Sequence, residues 1–200
     1  MTPSTSILEL ARSRGILRSR DVQTHVGGSY RVALSTLSRQ GKLIRVSRGL
    51  YALPDHDAAG HASLAAITIK YPNAVFCLLT ALQIHALGTQ SPHEVWIAID
   101  NKARSPRLDF PPLRVARFSG EALVFGVTKI SVDGVHIPVT SVAKTIADCF
   151  KYRNKVGLDV ALEALRDAWR SKRVTMDELA EAARVCRVGN VMRPYLESLV

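Results

Sequence analysis

Arginine and lysine side chains are concentrated at the start of this chain, where they could engage a polyanion. Residues 1–53 contain nine basic and two acidic residues, a net charge of +7, whereas residues 54–200 carry only +3. Arginine offers a planar fork that matches a phosphate or the acceptor atoms of guanine. This asymmetry favours a nucleic-acid partner for the first quarter of the chain. The nine cations are Arg12, Arg14, Arg18, Arg20, Arg31, Arg39, Lys42, Arg45 and Arg48.

A few carboxylates could support a second chemistry, that of a metal-dependent nuclease. Asp100 and Lys102 follow a predicted strand and form an acid-x-lysine fragment of that kind. No acidic partner on another strand is evident, because Asp109 and Asp133 fall in predicted turns. A nucleotidyltransferase would need a second acid where Lys102 stands. We predict no catalytic residue, no metal site and no cofactor, and keep a nuclease as an alternative function.

Other polar and sulfur-containing side chains favour structural roles. Lys144 and Asp148 are four residues apart on a predicted helix, the spacing of a local ion pair. His85 lies inside an apolar run, which is typical of a core histidine. The three cysteines are embedded in apolar runs, and none has the spacing of a metal ligand. They are predicted to be free thiols in a reducing cytoplasm. They are Cys77, Cys149 and Cys186.

A short helix at residues 29–40 would position the central cations. Its apolar residues recur at spacings of three and four, which predicts one buried face. Ser29 is the predicted N-cap, and Gly41 ends the helix where a left-handed residue is favoured. The buried face consists of Tyr30, Ala33, Leu34 and Leu37.

Two strand-like runs follow this helix and predict a hairpin. They cover residues 42–46 and 50–53, with a tight corner at Ser47, Arg48 and Gly49. A helix followed by a basic hairpin is the layout of a winged helix-turn-helix, in which the helix enters the major groove of DNA. Residues 1–54 are therefore predicted to form a winged helix-turn-helix DNA-binding domain.

Two earlier helices complete that predicted domain. The first is capped by Ser4 or Thr5 and runs to about Arg14, and residues 16–17 form an apolar connector. The second helix covers residues 20–26 with Ser19 as its N-cap, and a pair of glycines makes the turn before the third.

The rest of the chain, residues 58–200, is predicted to be an α+β domain with a small sheet and a helical C-terminal tail. Residues 54–57 mark the boundary. Helices are predicted at residues 61–71 and 75–87, and strands at 94–100, 113–118, 127–132 and 135–139, the last two joined at Asp133-Gly134. Four helices follow, at residues 141–152, 157–172, 176–185 and up to about 200. Thr175 and Glu178 form a capping box. The fold class is α+β throughout.

Two groups of residues are the predicted contacts to double-stranded DNA. The main group lies on the third helix, the hairpin and the entrance to the second helix, where helix N-termini usually meet phosphate. A basic cluster near residue 153 could add a second set of backbone contacts. The main group is Arg18, Arg20, Ser29, Tyr30, Arg31, Ser35, Arg39, Lys42, Arg45, Ser47 and Arg48, and the second is Lys151, Arg153 and Lys155.

Several runs resemble the AbiEi-type antitoxins, the transcriptional regulators of type IV toxin–antitoxin systems. In the first part they are GILRSRDV, SYRVALSTLSRQGKL and IRVSRGLYALP. In the second part they are CLLTALQIHALGTQSPHEVWIAI, PPLRVARFSG, SVAKTIADCFKYRNKVGLDVALEAL and MRPYLESL.

The resemblance implies a repressor that binds inverted repeats in the promoter of its own operon, with two copies meeting on the operator. It implies a nucleotidyltransferase-like toxin that is countered without a stable complex. We expect a cytoplasmic protein without a membrane partner, because no apolar run reaches the ~18 residues of a membrane span. A module that recruits a protein partner through its C-terminal helices remains an alternative.

Overall fold

The fold of this chain is given by a computed structural model that describes residues 2–14, 16–54, 59–108, 111–132 and 135–199. The predicted α+β class is confirmed. By its packing the chain divides into two units. Unit 1 comprises Met1–Pro72 and Ile130–Ile137, and unit 2 comprises Asn73–Lys129 and Pro138–Val200. Most of the predicted boundary at residues 54–57 lies outside the described residues, and the division into domains at residues 1–54 and 58–200 stays a prediction.

Unit 1 contains four helices and a three-stranded antiparallel sheet in its described part. The strand order is β1-β3-β2. The elements are α1 (Pro3–Arg14), β1 (Ile16–Arg18), α2 (Ser19–Val26), α3 (Tyr30–Arg39), β2 (Ile44–Ser47), β3 (Leu50–Ala52) and α4 (Ala59–Lys70).

The predicted connector at residues 16–17 is wrong, because this segment is strand β1. Ile16 pairs with Ala52 and Leu17 with Tyr51, so β1 covers the free edge of β3. Three residues are too few to show a strand periodicity, and only the pairing partners 32 to 36 residues later make the segment a strand.

Two helix starts also differ from the prediction. Helix α1 begins at Pro3, and the backbone N–H of Thr5 donates to Thr2 Oγ1 at 3.4 Å, so Thr2 caps it in place of Ser4 or Thr5. Proline suits this first position because it has no N–H to satisfy. Ser19 is the first residue of α2, and Arg18 occupies the N-cap without a side-chain cap.

Two apolar clusters hold unit 1 together. In the first, Ile7 and Leu10 of α1 pack with Leu34 and Leu37 of α3. The second lies on the other side of the sheet, and α4 covers it. It contains Ile16, Leu50, Ala52, Ala65 and Ala66.

Unit 2 places helices around a five-stranded mixed sheet of order β6-β5-β4-β8-β7, although residues 130–132 of β7 and 135–137 of β8 fall in unit 1. Strands β4 and β5 are antiparallel, whereas β4 pairs with β8 and β5 with β6 in parallel. The elements are β4 (Val75–Phe76), α5 (Leu78–Ile84), β5 (Val95–Asp100), β6 (Leu113–Phe118), α6 (Glu121–Val124), β7 (Val127–Val132), β8 (Val135–Thr140), α7 (Val142–Lys151), α8 (Arg153–Val156), α9 (Leu158–Arg170), α10 (Met176–Cys186) and α11 (Gly189–Glu197). The hairpin turn predicted at Asp133-Gly134 lies outside the described residues.

The single buried helix predicted at residues 75–87 is wrong. The segment begins as strand β4, and Cys77 keeps an extended backbone before α5 starts at Leu78. A continuous apolar run has no period, so the sequence alone does not separate a buried strand from a buried helix. The pairing of β4 with β5 and β8 decides it.

The capping box predicted at α10 is confirmed. The side chain of Thr175 accepts from the Glu178 backbone N–H at 3.2 Å, and the Glu178 carboxylate accepts from the Thr175 backbone N–H at 2.8 Å. Within the described residues, no helix combines the length and apolar character needed to cross a bilayer.

The predicted ion pair between Lys144 and Asp148 is confirmed, and it lies inside the core of unit 2. The two side chains are 0% and 1% exposed, and Lys144 Nζ lies 2.5 and 2.6 Å from the two carboxylate oxygens. The ammonium group also lies 4.5 Å from the centre of the Phe118 ring. Burial raises the pKa of Asp148, against the opposing influence of Lys144.

The three cysteines are free and buried, as predicted. Cys186 Sγ donates to Asp148 Oδ1 at 3.3 Å, and burial together with this carboxylate raises the Cys186 pKa to about 12. Its thiol is therefore protonated at neutral pH and a poor nucleophile.

Candidate nucleic-acid interface

Helix α3 carries the centre of the candidate interface, and its buried face is the one predicted. Tyr30, Ala33, Leu34 and Leu37 are between 1% and 8% exposed. Ser29 stands at the N-cap, but its side chain makes no capping hydrogen bond, which corrects that part of the prediction. The backbone of Ser29 is not extended there, so its hydroxyl does not face the free N–H groups.

The end of α3 follows the prediction at Gly41. This glycine has φ = +68°, and its N–H donates to the Ser38 carbonyl at 3.2 Å. The Lys42 N–H donates to the Leu37 carbonyl at 2.9 Å. These two bonds form a Schellman motif, which turns the chain sharply from α3 towards the hairpin.

The outward face of α3 is formed by Val32, Ser35 and Arg39. All three are exposed, and Val32 is 70% exposed. Their spacings of three and four residues place them within about 60° of one another on the helix, opposite the buried face. This surface therefore presents two methyl groups, a hydroxyl group and a guanidinium group to a binding partner.

Arg31 lies beside this face and is oriented by its neighbour. Arg31 Nε donates to the Tyr30 hydroxyl at 2.9 Å, and the guanidinium carbon lies 5.6 Å from the centre of the Tyr30 ring. The ring itself belongs to the core of unit 1. Tyr30 thus holds Arg31 at the N-terminal end of α3.

The hairpin of β2 and β3 carries the second group of cations. Lys42, Arg45 and Arg48 are exposed, and Gly49 completes the two-residue turn with φ = +81°. The register of β2 against β3 shifts between Arg45 and Ser47. The side chain of Ser47 lies outside the described part of the structure.

One backbone hydrogen bond brings the start of α2 to the tip of the hairpin. The Ser19 N–H donates to the Gly49 carbonyl at 2.8 Å. Arg18 and Arg20 flank Ser19, Arg48 precedes Gly49, and all three arginines are exposed. The structure therefore gathers three cations that are up to 30 residues apart in sequence at one corner of unit 1.

None of these cations is neutralised locally by the described residues. Across residues 2–14 and 16–54, no described carboxylate lies within ion-pair distance of any of the nine basic side chains. Unpaired cations of this density attract a polyanion and repel one another in its absence.

The second predicted basic set lies in unit 2 and is already partly engaged. Arg153 donates to the Phe150 carbonyl at 3.0 Å, which is the usual role of a cation at a helix C-terminus. Lys155 Nζ lies 5.5 Å from the centre of the Tyr152 ring. Lys151 lines a polar cavity of about 360 Å³ together with Arg184 and Arg187.

The carboxylate considered for metal chemistry is part of a turn at the end of β5. Asp100 Oδ1 accepts from the Lys102 backbone N–H at 2.8 Å. The Arg117 guanidinium donates to the carbonyls of Asn101 and Ala103 at 2.9 Å each and fixes this turn. Asp109 and Asp133 lie outside the described residues. Among those described, no three His, Cys, Asp or Glu side chains converge as metal ligands would.

His85 makes a satisfying hydrogen bond, as predicted, but its side chain is only partly buried and does not belong to the core. Its Nε2 donates to the Thr140 carbonyl at 2.7 Å, and burial lowers its pKa. Arg173 donates to the His85 backbone carbonyl, and its charge lowers the pKa further.

Val32 is absent from the predicted contacts, although it shares the outward face with Ser35 and Arg39. The prediction selected only polar and charged residues around the helix. Projecting α3 onto a helical wheel places Val32 opposite the buried face, and this signal is present in the sequence.

Comparison with known proteins finds a sequence similarity for the N-terminal part of the chain and a similarity of fold for most of it. A family model described as a transcriptional regulator, AbiEi antitoxin, matches residues 6–54. The crystal structure of the RV2827C protein from Mycobacterium tuberculosis is similar, with a TM-score of 0.63 at 13% identity over 91% of this chain and 71% of that chain, which shows a shared fold. The comparison with curated proteins found no match. Residues 6–54 therefore carry the sequence signature of the AbiEi antitoxin family of transcriptional regulators, as the resemblance predicted.

Proposed function

We propose that this chain is a sequence-specific DNA-binding repressor that acts as the antitoxin of a type IV toxin–antitoxin system. The observation that carries the proposal is the outward face of α3 beside the basic hairpin, with exposed cations that no described carboxylate neutralises. The family match to residues 6–54 supports the general role of an antitoxin regulator.

In this proposal unit 1 binds as a winged helix-turn-helix. Helix α3 enters the major groove, where Arg31, Ser35 and Arg39 reach base edges or flanking phosphates. The corner formed by Arg18, Arg20 and Arg48 contacts the phosphate backbone. Lys42 and Arg45 extend these contacts along the same strand.

Unit 2 supplies additional backbone contacts through Lys151 and Lys155. Their ammonium groups are exposed, whereas the Arg153 guanidinium is held by α7 and contributes mainly to that helix end. Contacts of this kind lengthen the footprint but carry no base information.

The biological setting of the proposal rests on the family resemblance. Two copies bind inverted repeats in the promoter of their own operon and repress it in the cytoplasm. The nucleotidyltransferase-like toxin is countered without a stable complex. No enzymatic step is part of this function.

Fluorescence anisotropy with two labelled duplexes tests the proposal. One duplex is the promoter region upstream of the gene, and the other is a shuffled sequence of equal length and composition. We expect tighter binding to the promoter by a factor of about 10³ or more. The logarithm of the binding constant should fall linearly with the logarithm of salt concentration, because each contacted phosphate releases counterions. Equal affinity for the two duplexes would overturn the proposal that this chain is a sequence-specific repressor.

A further inference from the structure

One exposed apolar side chain lies among the polar side chains on the outward face of α3. Val32 is 70% exposed, and it is the third residue of α3. The N-terminal turns of a recognition helix are the part that contacts base edges in helix-turn-helix complexes. Val32 therefore occupies the position on α3 from which a short side chain reaches the floor of the groove.

Valine at this position does not stabilise the protein in the absence of a partner. A β-branched residue lowers helix propensity relative to alanine, and its methyl groups are left in water. Little contact with the described residues of unit 1 compensates for this, since 70% of the side chain is exposed. The stiff side chain, with one preferred rotamer in a helix, instead holds two methyl groups at a fixed outward position.

The surroundings of Val32 restrict the chemistry of its partner. Arg31 adjoins it in sequence, and Ser35 and Arg39 lie on the same helix face. A partner must therefore offer an apolar group within a strongly anionic and hydrogen-bonding surface. In the major groove, the apolar group displayed by the base pairs is the 5-methyl group of thymine.

We propose that Val32 is a specificity-determining residue that contacts the 5-methyl group of one thymine in each operator half-site. This inference rests on the proposed function, because it requires α3 to lie in the major groove. Arg39 follows Val32 by seven residues, a rise of about 10 Å along the helix.

Replacement of single thymines by deoxyuridine tests this directly, because it removes the methyl group and leaves the hydrogen-bonding edge intact. The operator is the promoter duplex that the anisotropy measurement defines. We expect the affinity of the wild-type protein to fall about fourfold when one particular thymine of each half-site is replaced, because one buried methyl group is lost. Val32→Ala should bind the thymine and uracil duplexes equally.

A matched control comes from unit 2. Val124 is 69% exposed and lies in the short helix α6, so Val124→Ala removes the same methyl groups at the same exposure from a different helix. This variant should retain the full response of the wild type to uracil. Val32→Ala itself should fold normally, since alanine is the better helix former at an exposed site.

The outcomes separate the two proposals. If the promoter duplex is preferred but no replacement of thymine by deoxyuridine lowers the affinity, the proposed role of Val32 is wrong and the proposed repressor function is unaffected. The same conclusion follows if Val32→Ala keeps the wild-type response. If promoter and shuffled duplexes bind equally, the proposed function and this inference fail together.

Discussion

The first 54 residues and unit 2 use their charged side chains in opposite ways. The cations of the first segment are exposed and unpaired among its described residues. In unit 2 the ion pairs join cations to carboxylates within the unit, both at the surface and in the core. They are Arg114–Glu94, Arg184–Glu121, Arg193–Glu197 and Lys144–Asp148.

This contrast indicates which charges serve the fold and which serve a partner. A paired charge is already satisfied, and a buried pair is costly to break because one partner would remain desolvated alone. An exposed and unpaired arginine contributes little to stability and is free to bind phosphate. Substitutions should therefore separate stability from DNA affinity, according to whether the substituted charge is paired within the protein.

The largest expected effect is on the buried pair of unit 2. Asp148→Ala leaves the Lys144 ammonium group uncompensated in the core and should lower the free energy of unfolding by about 3–5 kcal/mol. Urea unfolding followed by tryptophan fluorescence measures this, because Trp96 and Trp169 both lie in unit 2.

The double variant Lys144→Met with Asp148→Leu is the control for that experiment. It removes both charges and keeps most of the volume, so it should recover most of the lost stability. A loss below about 1 kcal/mol for Asp148→Ala would mean that the pair is hydrated and would remove the contrast between the regions.

The next effect concerns the exposed cations of α3 and the hairpin. Arg39→Ala should weaken promoter binding by about 1–3 kcal/mol and relax the choice of base, because a base-contacting fork is lost. Arg48→Ala should weaken binding to all sequences alike and reduce the salt slope by about one. Anisotropy titrations at several salt concentrations distinguish the two.

Both arginine variants should keep the wild-type free energy of unfolding within about 0.5 kcal/mol. If either variant lost stability while its DNA binding stayed unchanged, that side chain would belong to the fold, and the assignment of unpaired cations to a partner would be wrong.

A smaller effect is expected at the capping box of α10. Thr175→Ala removes the acceptor for the Glu178 backbone N–H and should cost about 1 kcal/mol of stability without changing DNA affinity. Glu178→Gln retains a side-chain acceptor for the Thr175 backbone N–H and serves as its control, since glutamine also completes a capping box. Equal stability of Thr175→Ala and wild type would show that α10 does not depend on this cap.

The smallest effect is a pH dependence from His85. Burial lowers the pKa of His85 in the folded state, so the unfolded chain takes up the proton first, near pH 6.5. Stability should therefore decrease as pH falls from 7.5 through 6.5 towards the folded pKa. His85→Gln should remove that component of the slope, which unfolding at pH 7.5 and 5.5 would measure. An unchanged slope would show that other groups control it.

The sequence predicted helix α3 and its hairpin better than it predicted the core of unit 2. Helix α3 and its hairpin follow from local signals: a helical period in the apolar residues, a glycine at the helix end and another at the hairpin turn. In unit 2, strand β4 was missed because its identity depends on pairing with β5 and β8. The spacing of Lys144 and Asp148 predicted their contact, but their burial depends on elements far away in sequence.

The interface itself was predicted only as a set of residues. The hydrogen bond between Ser19 and Gly49, which gathers Arg18, Arg20 and Arg48, has no local signal in the sequence. Val32 was missed for the opposite reason. The helical periodicity of the sequence places it on the outward face of α3, but the prediction of DNA contacts considered no purely apolar residues.

The second apolar cluster of unit 1 has a practical consequence for dissecting the protein. Ala65 and Ala66 of α4 cover Ile16 and Leu50 on the sheet that carries the hairpin. A fragment that ends at residue 54 lacks α4 and would expose an aliphatic surface on the sheet that carries the hairpin arginines. Such a fragment should self-associate, so its weak DNA binding would report aggregation and not the loss of a contact. Expression of the full chain avoids that misreading.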